Sequence, residues 1–340
     1  MTGSTVSVDV SVAREAPPRD SRHVSDALRR FAWFVLAYNV LDILWGVVVT
    51  ATGSGDGCGD QWPLCRGAVI PQSPQFHTMV EFAHRVMSGI ALLLIVVLLV
   101  WAWRATRKGA LARWAAGAAF LLVMNEAFLG ALLVTVAAHG VSQTTSVFLF
   151  ACHLTNTLLL LASLTLTVEF LARPRDRSTT GLRRGKLVFP ALGILATLVV
   201  GVSGSLAALG DTLFPARTLA GAFHQDFSTT APLLLRLRWV HPATAIVAGL
   251  FVAWLLIESF RRAAPARQRR LATAVLCALL VQYGLGVLDV LLRAPAWMQV
   301  LHLLGADVFW IGLVLLTAAY CLVPRQPAKQ AELASATAVA

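Results

Sequence analysis

At 340 residues, 57% hydrophobic and only 13% charged, with a mean hydropathy of +0.72, this chain lies far outside the composition of a soluble domain. Its formal net charge of +11 would suit a nucleic-acid partner, but the placement of the charges excludes that reading. Of the 28 Lys and Arg, 22 fall in the two tails and in three loops on one side of the apolar stretches, the asymmetry of a membrane protein.

Residues 1–30 are polar and rich in Ser, Arg and Pro, and they read as a disordered cytoplasmic tail without a cleavable signal peptide. Eight apolar stretches follow, each near the roughly 20 residues that a bilayer crossing needs. They are predicted at 31–52, 77–103, 112–136, 145–171, 187–209, 238–260, 271–292 and 298–323. The expected fold class is therefore all-α integral membrane, with eight transmembrane helices. Positive charges cluster after the second stretch (Arg104, Arg107, Lys108, Arg113), in the basic linker 173–186, and after the sixth (Arg261, Arg262, Arg267, Arg269, Arg270). By the positive-inside bias both termini, including the tail 324–340, are expected in the cytoplasm of a cell membrane.

The first loop, GSGDGCGDQWPLCRG, then lies on the oxidising side and carries Cys58 and Cys65. A disulfide is the favoured reading there. A zinc pair would need two further ligands, and only His77 is at hand. Cys152, Cys277 and Cys321 lie in apolar stretches and read as small apolar residues.

The stretches divide into two sets of four that can be laid over each other, predicting two tandem four-helix bundles: 31–172 and 187–323. The segment EFAHRVMSGIALLL aligns with RWVHPATAIVAGLF, pairing His84 with His241, and Cys-His-Leu at 152–154 aligns with Leu-His-Leu at 301–303. Four histidines, His84, His153, His241 and His302, thus stand near one face of the membrane, one at the start of every second stretch. Intramembrane ionisable residues are functional candidates, and imidazoles at one depth on neighbouring helices can hold haem iron between them. An interhelical hydrogen bond would explain one such histidine, but not four in register with a repeat. The two sets differ beside this histidine: Glu81 precedes His84 by three residues, where the second set has Arg238, and Arg85 after His84 is replaced by Pro242. Glu81 can exchange protons, and Arg238 suits a haem propionate. A di-iron site would need the Glu-x-x-His motif twice, and it occurs once. Asp42, Glu126, Asp289 and Asp307 are expected to make interhelical hydrogen bonds.

These residues together resemble the haem A synthase family, membrane enzymes that oxidise haem O to haem A. The resemblance rests on TGSGDGCGDQWPLCRGAVIP at 52–71, Glu81-Phe-Ala-His84-Arg85, His153-Leu154, His241 and His302. It implies that His241 and His302 ligate a resident haem b and that His84 and His153 bind the haem O substrate. It further implies that Glu81 is an essential carboxylate, that Cys58 and Cys65 form the family's disulfide, and that Arg85 and Arg238 are candidate propionate contacts. The reaction implied takes the C8 methyl to a formyl group by successive hydroxylation, with haem O synthase and cytochrome oxidase assembly factors as partners. Homo-oligomers are left open. Some relatives have a second cysteine pair between helices 5 and 6, and residues 210–237 contain none. Two other readings use parts of the same pattern. A di-haem b-type cytochrome would employ the four histidines without Glu81, and a transporter would need a broken helix, hinted at only by Ser203-Gly204.

Overall fold

The computed structural model describes residues 24–72, 75–138, 143–173, 175, 180–183, 186–261 and 264–324. The first helix, α1 (Asp26–Ala51), begins earlier than its apolar stretch. Ser25 caps it by accepting from the Leu28 N–H at 3.3 Å, and Asp26 faces the positive end of the helix dipole. Residues 26–30, expected in a disordered tail, are therefore helical. The remainder of both expected tails, 1–23 and 325–340, lies outside the described residues.

The other spans are α2 (Phe76–Ala105), α3 (Leu111–Ala138), α4 (Gln143–Ala172) and α5 (Val188–Leu213). After a short α6 (Leu219–Asp226), the sixth span runs through α7 (Leu233–Arg238) into α8 (Val240–Phe260), with Trp239 between them. Pro242 falls in the first turn of α8, where its missing N–H removes no helical bond. Then come α9 (Ala266–Leu292) and α10 (Ala296–Cys321). Eight helices are long and apolar enough to cross a membrane. Leu93, Leu121 and Leu250 are each about two-thirds exposed on their outer faces, apolar surface that lipid covers.

One departure from an all-α chain is small. Strand β1 (Thr180–Leu182), in the basic linker, pairs antiparallel with β2 (Leu322–Pro324). The pairing holds the linker across the end of α10: the Arg183 N–H donates to the Cys321 carbonyl at 2.9 Å, and its guanidinium stacks 5.0 Å from the Tyr320 ring.

Each set of four spans closes a ring of neighbours. Helices α1, α2, α3 and α4 pack in cyclic order, and so do α5, α8, α9 and α10. The rings meet through α1 and α4 on one side and α5 and α10 on the other. Trp310 of α10 is buried at that seam and donates its indole N–H to the Leu158 carbonyl of α4 at 2.9 Å. The apolar core gathers around Leu28, Ile95, Leu98, Leu161, Leu164 and Trp310.

At the end of the spans away from the α1–α2 loop, a buried carboxylate ties the rings together. Glu169 of α4 accepts from Arg173 at 3.1 Å and from Arg267 of α9 at 2.6 Å. Glu169→Leu would leave Arg267 without its carboxylate partner at the seam. The variant is expected to lose about 1–3 kcal/mol, read as a lower thermal unfolding midpoint in detergent.

Candidate functional site

All four sequence-predicted histidines sit within about three turns of the N-terminal end of their spans, at the same end of the bundle. Each imidazole lies against a glycine of the preceding span. A Cβ on Gly46 of α1 would come 3.4 Å from His84 Cε1, and one on Gly130 of α3 would come 3.9 Å from His153 Cε1. On the other side the fit is tighter: 2.7 Å from Gly204 of α5 to His241, and 3.2 Å from Gly286 of α9 to His302. The glycines are the notches that let a ring enter between two packed helices.

A polar group four residues before each glycine comes close to the same ring. Asp42 Oδ1 lies 3.2 Å from His84 Nδ1, and Glu126 Oε1 lies 3.4 Å from His153 Nδ1. Both oxygens stand off the line of a hydrogen bond, so the two buried Nδ1 atoms are close to a carboxylate without being bonded to it. The Val200 carbonyl lies 3.2 Å from His241 Nδ1, and the Gln282 amide 3.3 Å from both ring nitrogens of His302. The rings of His241 and His302 stand 6.3 Å apart between centroids, at 87°.

Glu81, buried three residues before His84, does not stand alone. It accepts from the Cys58 backbone N–H at 2.7 Å and from Arg85 at 2.6 and 3.1 Å. Arg85 reaches on to the carbonyls of Leu64 at 2.6 Å and Gly59 at 3.2 Å. The two side chains thus clamp both ends of the loop that the Cys58–Cys65 disulfide closes. Thr78 adds a hydrogen bond to the Gly57 carbonyl at 2.9 Å, and His77 Nδ1 lies 3.0 Å from Ser54 Oγ. With both sulfurs in a disulfide, the zinc alternative falls away. Cys152, Cys277 and Cys321 are free thiols.

Arg238 occupies the corresponding place in the second set and also acts as a clamp. Its buried guanidinium is bound to Asp211 of α5 at 2.7 Å, to Asp226 of α6 at 2.7 Å and to Gln225 at 3.2 Å. Burial pushes the Asp226 carboxyl up from its usual range, while Arg238 pulls it back down. The contrast read from sequence, an acid in one half and a cation in the other, is in space a contrast between a Glu81–Arg85 pair and an Arg238 held by two carboxylates.

The acids divide. Asp42 accepts from Ser88 of α2 at 3.2 and 3.1 Å, and Glu126 accepts from Asn156 and Thr157 of α4, which are the interhelical bonds expected. Asp289 Oδ1 and Asp307 Oδ2 are buried without a hydrogen-bond partner, so the bonds expected there do not form at those atoms. Helix α5 runs unbroken through Ser203-Gly204, which removes the transporter reading's one hint. Gly204 is there to admit His241. Sequence reasoning missed the partnership of Asp42 with His84. The signal was present as a polar residue four before a glycine in Asp42–Gly46, Glu126–Gly130 and Gln282–Gly286.

Haem iron, the group the sequence resemblance implies, fits His241 and His302. Neutral imidazoles are good iron ligands. Two metal–nitrogen bonds of about 2 Å plus two ring radii come to about 6 Å, near the His241–His302 separation. Among the described residues, no three or more His, Cys, Asp or Glu come together as a bare metal cluster. Fold and site together define a multi-pass helical membrane protein with four histidines toward one end of its spans, two of them, His241 and His302, facing each other.

The sequence model of a family described as "Cytochrome oxidase assembly protein" (COX15-CtaA) matches residues 29–314. This chain belongs to that family. A protein named protoheme IX farnesyltransferase from Thermus thermophilus is 41% identical over 297 residues, 85% of this chain but 48% of the relative. This chain therefore spans about half the length of that relative. A protein named heme A synthase from Exiguobacterium sp. is 33% identical over 183 residues, covering 54% of this chain and 58% of its own length. Another of that name, from Geobacillus kaustophilus, is 28% identical over 242 residues, covering 67% and 70%.

The clamped loop makes its own prediction. A Cβ on Gly57 would overlap the His77 backbone carbonyl, whereas one on Gly55 meets nothing. Gly57→Ala is expected to lift the loop from α2 and open the buried disulfide to a water-soluble reductant, with Gly55→Ala unchanged. Thiol labelling after mild reduction measures it.

Proposed function

We propose that this chain is a haem A synthase, an oxidoreductase that converts the C8 methyl of haem O to a formyl group by successive hydroxylation for cytochrome oxidase biogenesis. The observation that carries the reading is the four-fold recurrence of one unit, an imidazole in a glycine notch at one end of the bundle, within a member of this family. The two relatives named heme A synthase support it. In this reading the two rings of spans are a pseudo-twofold repeat. Residues 31–172 form the substrate half and 187–323 the haem b half, both termini are cytoplasmic in the cell membrane, and the haem sites lie toward the outer side.

His84 and His153 would hold haem O by its iron, and His241 and His302 would hold haem b. Haem b, when bound, supplies one-electron chemistry at its iron. The protein's own share is to position and to exclude water. Glu81 and Arg85 keep the disulfide loop over the end of α2, next to His84, shielding the substrate porphyrin and offering a carboxylate for proton transfer. Arg238 performs the matching task for the α5–α8 connection, and its remaining donor capacity and that of Arg85 suit propionates.

The Thermus relative raises a second reading, prenyl transfer to haem, because its printed name says farnesyltransferase. A relative twice as long that carries this sequence fits better with a haem O synthase as the neighbouring activity or partner.

One assay separates the readings. Membranes expressing the chain with a haem O supply are extracted and the haems resolved by chromatography. Haem A is the expected product. Haem b alone would select the electron-carrying cytochrome, and farnesylated haem made from protohaem would select the transferase. Within the synthase reading, Glu81→Gln is expected to keep haem b while losing haem A. Gly204→Ala, which crowds His241, is expected to lose haem b. A fully active Glu81→Gln would remove Glu81 from the chemistry.

A further inference from the structure

We propose that Asp42 and Glu126 are positioning residues of the N-terminal histidine pair. They orient His84 and His153 through Nδ1, so that Nε2 faces an iron, and their charge makes this pair a more electron-donating site than neutral partners would. The inference rests on the haem reading given above and assigns a role that the reading itself does not need.

Four positions bear on it: Asp42, Glu126, Val200 and Gln282, each four residues before the glycine that notches a histidine. Two are acids, both in the first ring of spans, at 3.2 and 3.4 Å from Nδ1. The other two partners, a backbone carbonyl and an amide, are neutral. An acid inside a span is costly and needs a purpose. Here the same device is built twice. Ser88, four residues after His84, donates to both oxygens of Asp42, and Thr157, four residues after His153, donates to Glu126. The second ring has Ala245 and Ala306 at those offsets. Each acid is therefore aimed by a hydroxyl on the histidine's own helix.

The unfinished geometry points the same way. The Nδ1 atoms of His84 and His153 are buried and unbonded, with a carboxylate oxygen within 3.4 Å or less. A modest rotation of either ring about its Cβ–Cγ bond would complete an Nδ1–H to carboxylate hydrogen bond and fix Nε2 as the free lone pair. Ligating histidines commonly donate their second N–H to such an acceptor, which fixes the tautomer and raises ligand basicity. Sites of this kind often tighten only when occupied. A more basic imidazole favours the ferric state of its iron, so losing the carboxylate should raise the midpoint potential.

The test uses the full chain, purified and loaded with haem O, with midpoint potentials followed spectroscopically and haem O affinity measured by titration. Asp42→Asn and Glu126→Gln are each expected to raise the midpoint of the N-terminal haem and weaken its binding by about 10–100-fold. The C-terminal haem should keep its midpoint. The reverse substitution, Gln282→Glu, is expected to lower the midpoint of the C-terminal haem and keeps the proposal testable if either acid variant fails to fold. An Asp42→Asn protein with both midpoint and affinity unchanged, or with both haems shifted equally, would overturn it. Normal haem O binding in His84→Ala and His153→Ala would instead overturn the haem reading on which it stands.

Discussion

A histidine ring inside a membrane span needs two things at once: room between packed helices and a polar partner for the nitrogen it does not offer to a ligand. Everything distinctive in this protein meets those needs. Glycine supplies the room, because no other residue lets a ring approach the backbone of the next helix so closely at His241 and His302. The residue one turn earlier supplies the partner, because i and i+4 share a helix face. Eight spans in two closed rings bring each glycine opposite its histidine.

The same end of the bundle carries a few buried charges, and each is held by an opposite partner. Glu81 with Arg85, and Arg238 with Asp211 and Asp226, fasten the connections that cap the two rings. Breaking one member of such a pair leaves a buried charge, which costs more than the intact pair contributes. The ion pairs thus fix the two connections on the ends of their spans. The disulfide works with this arrangement by closing the small loop whose two ends Glu81 and Arg85 grip.

Much of this was legible in the chain. The eight spans follow from apolar length alone, and the matched spacing of His84, His153, His241 and His302 marks one face. The early start of α1 was hidden, because Ser25 and Asp26 set it and lie outside the apolar run. The two roles of Arg238 and Glu81 as clamps were hidden as well. Their partners, Asp211, Asp226 and the Cys58 N–H, sit in connections whose path hydropathy does not determine. Asp42 shows the limit most clearly. Its offset to Gly46 is written in the sequence, yet only the packing of α1 on α2 shows that His84 fills that notch. The short strand pair between the basic linker and the end of α10 had no periodic signal at all, since three residues are too few to carry one.

The central claim is that imidazoles from alternate spans meet in facing pairs around porphyrin iron. Low-temperature electron paramagnetic resonance of the purified, oxidised protein tests it most directly. Signals of low-spin ferric haem with two nitrogen ligands, lost from one centre when a histidine of either pair is replaced, are the predicted result. High-spin haem alone, or low-spin signals indifferent to all four histidines, would contradict the account.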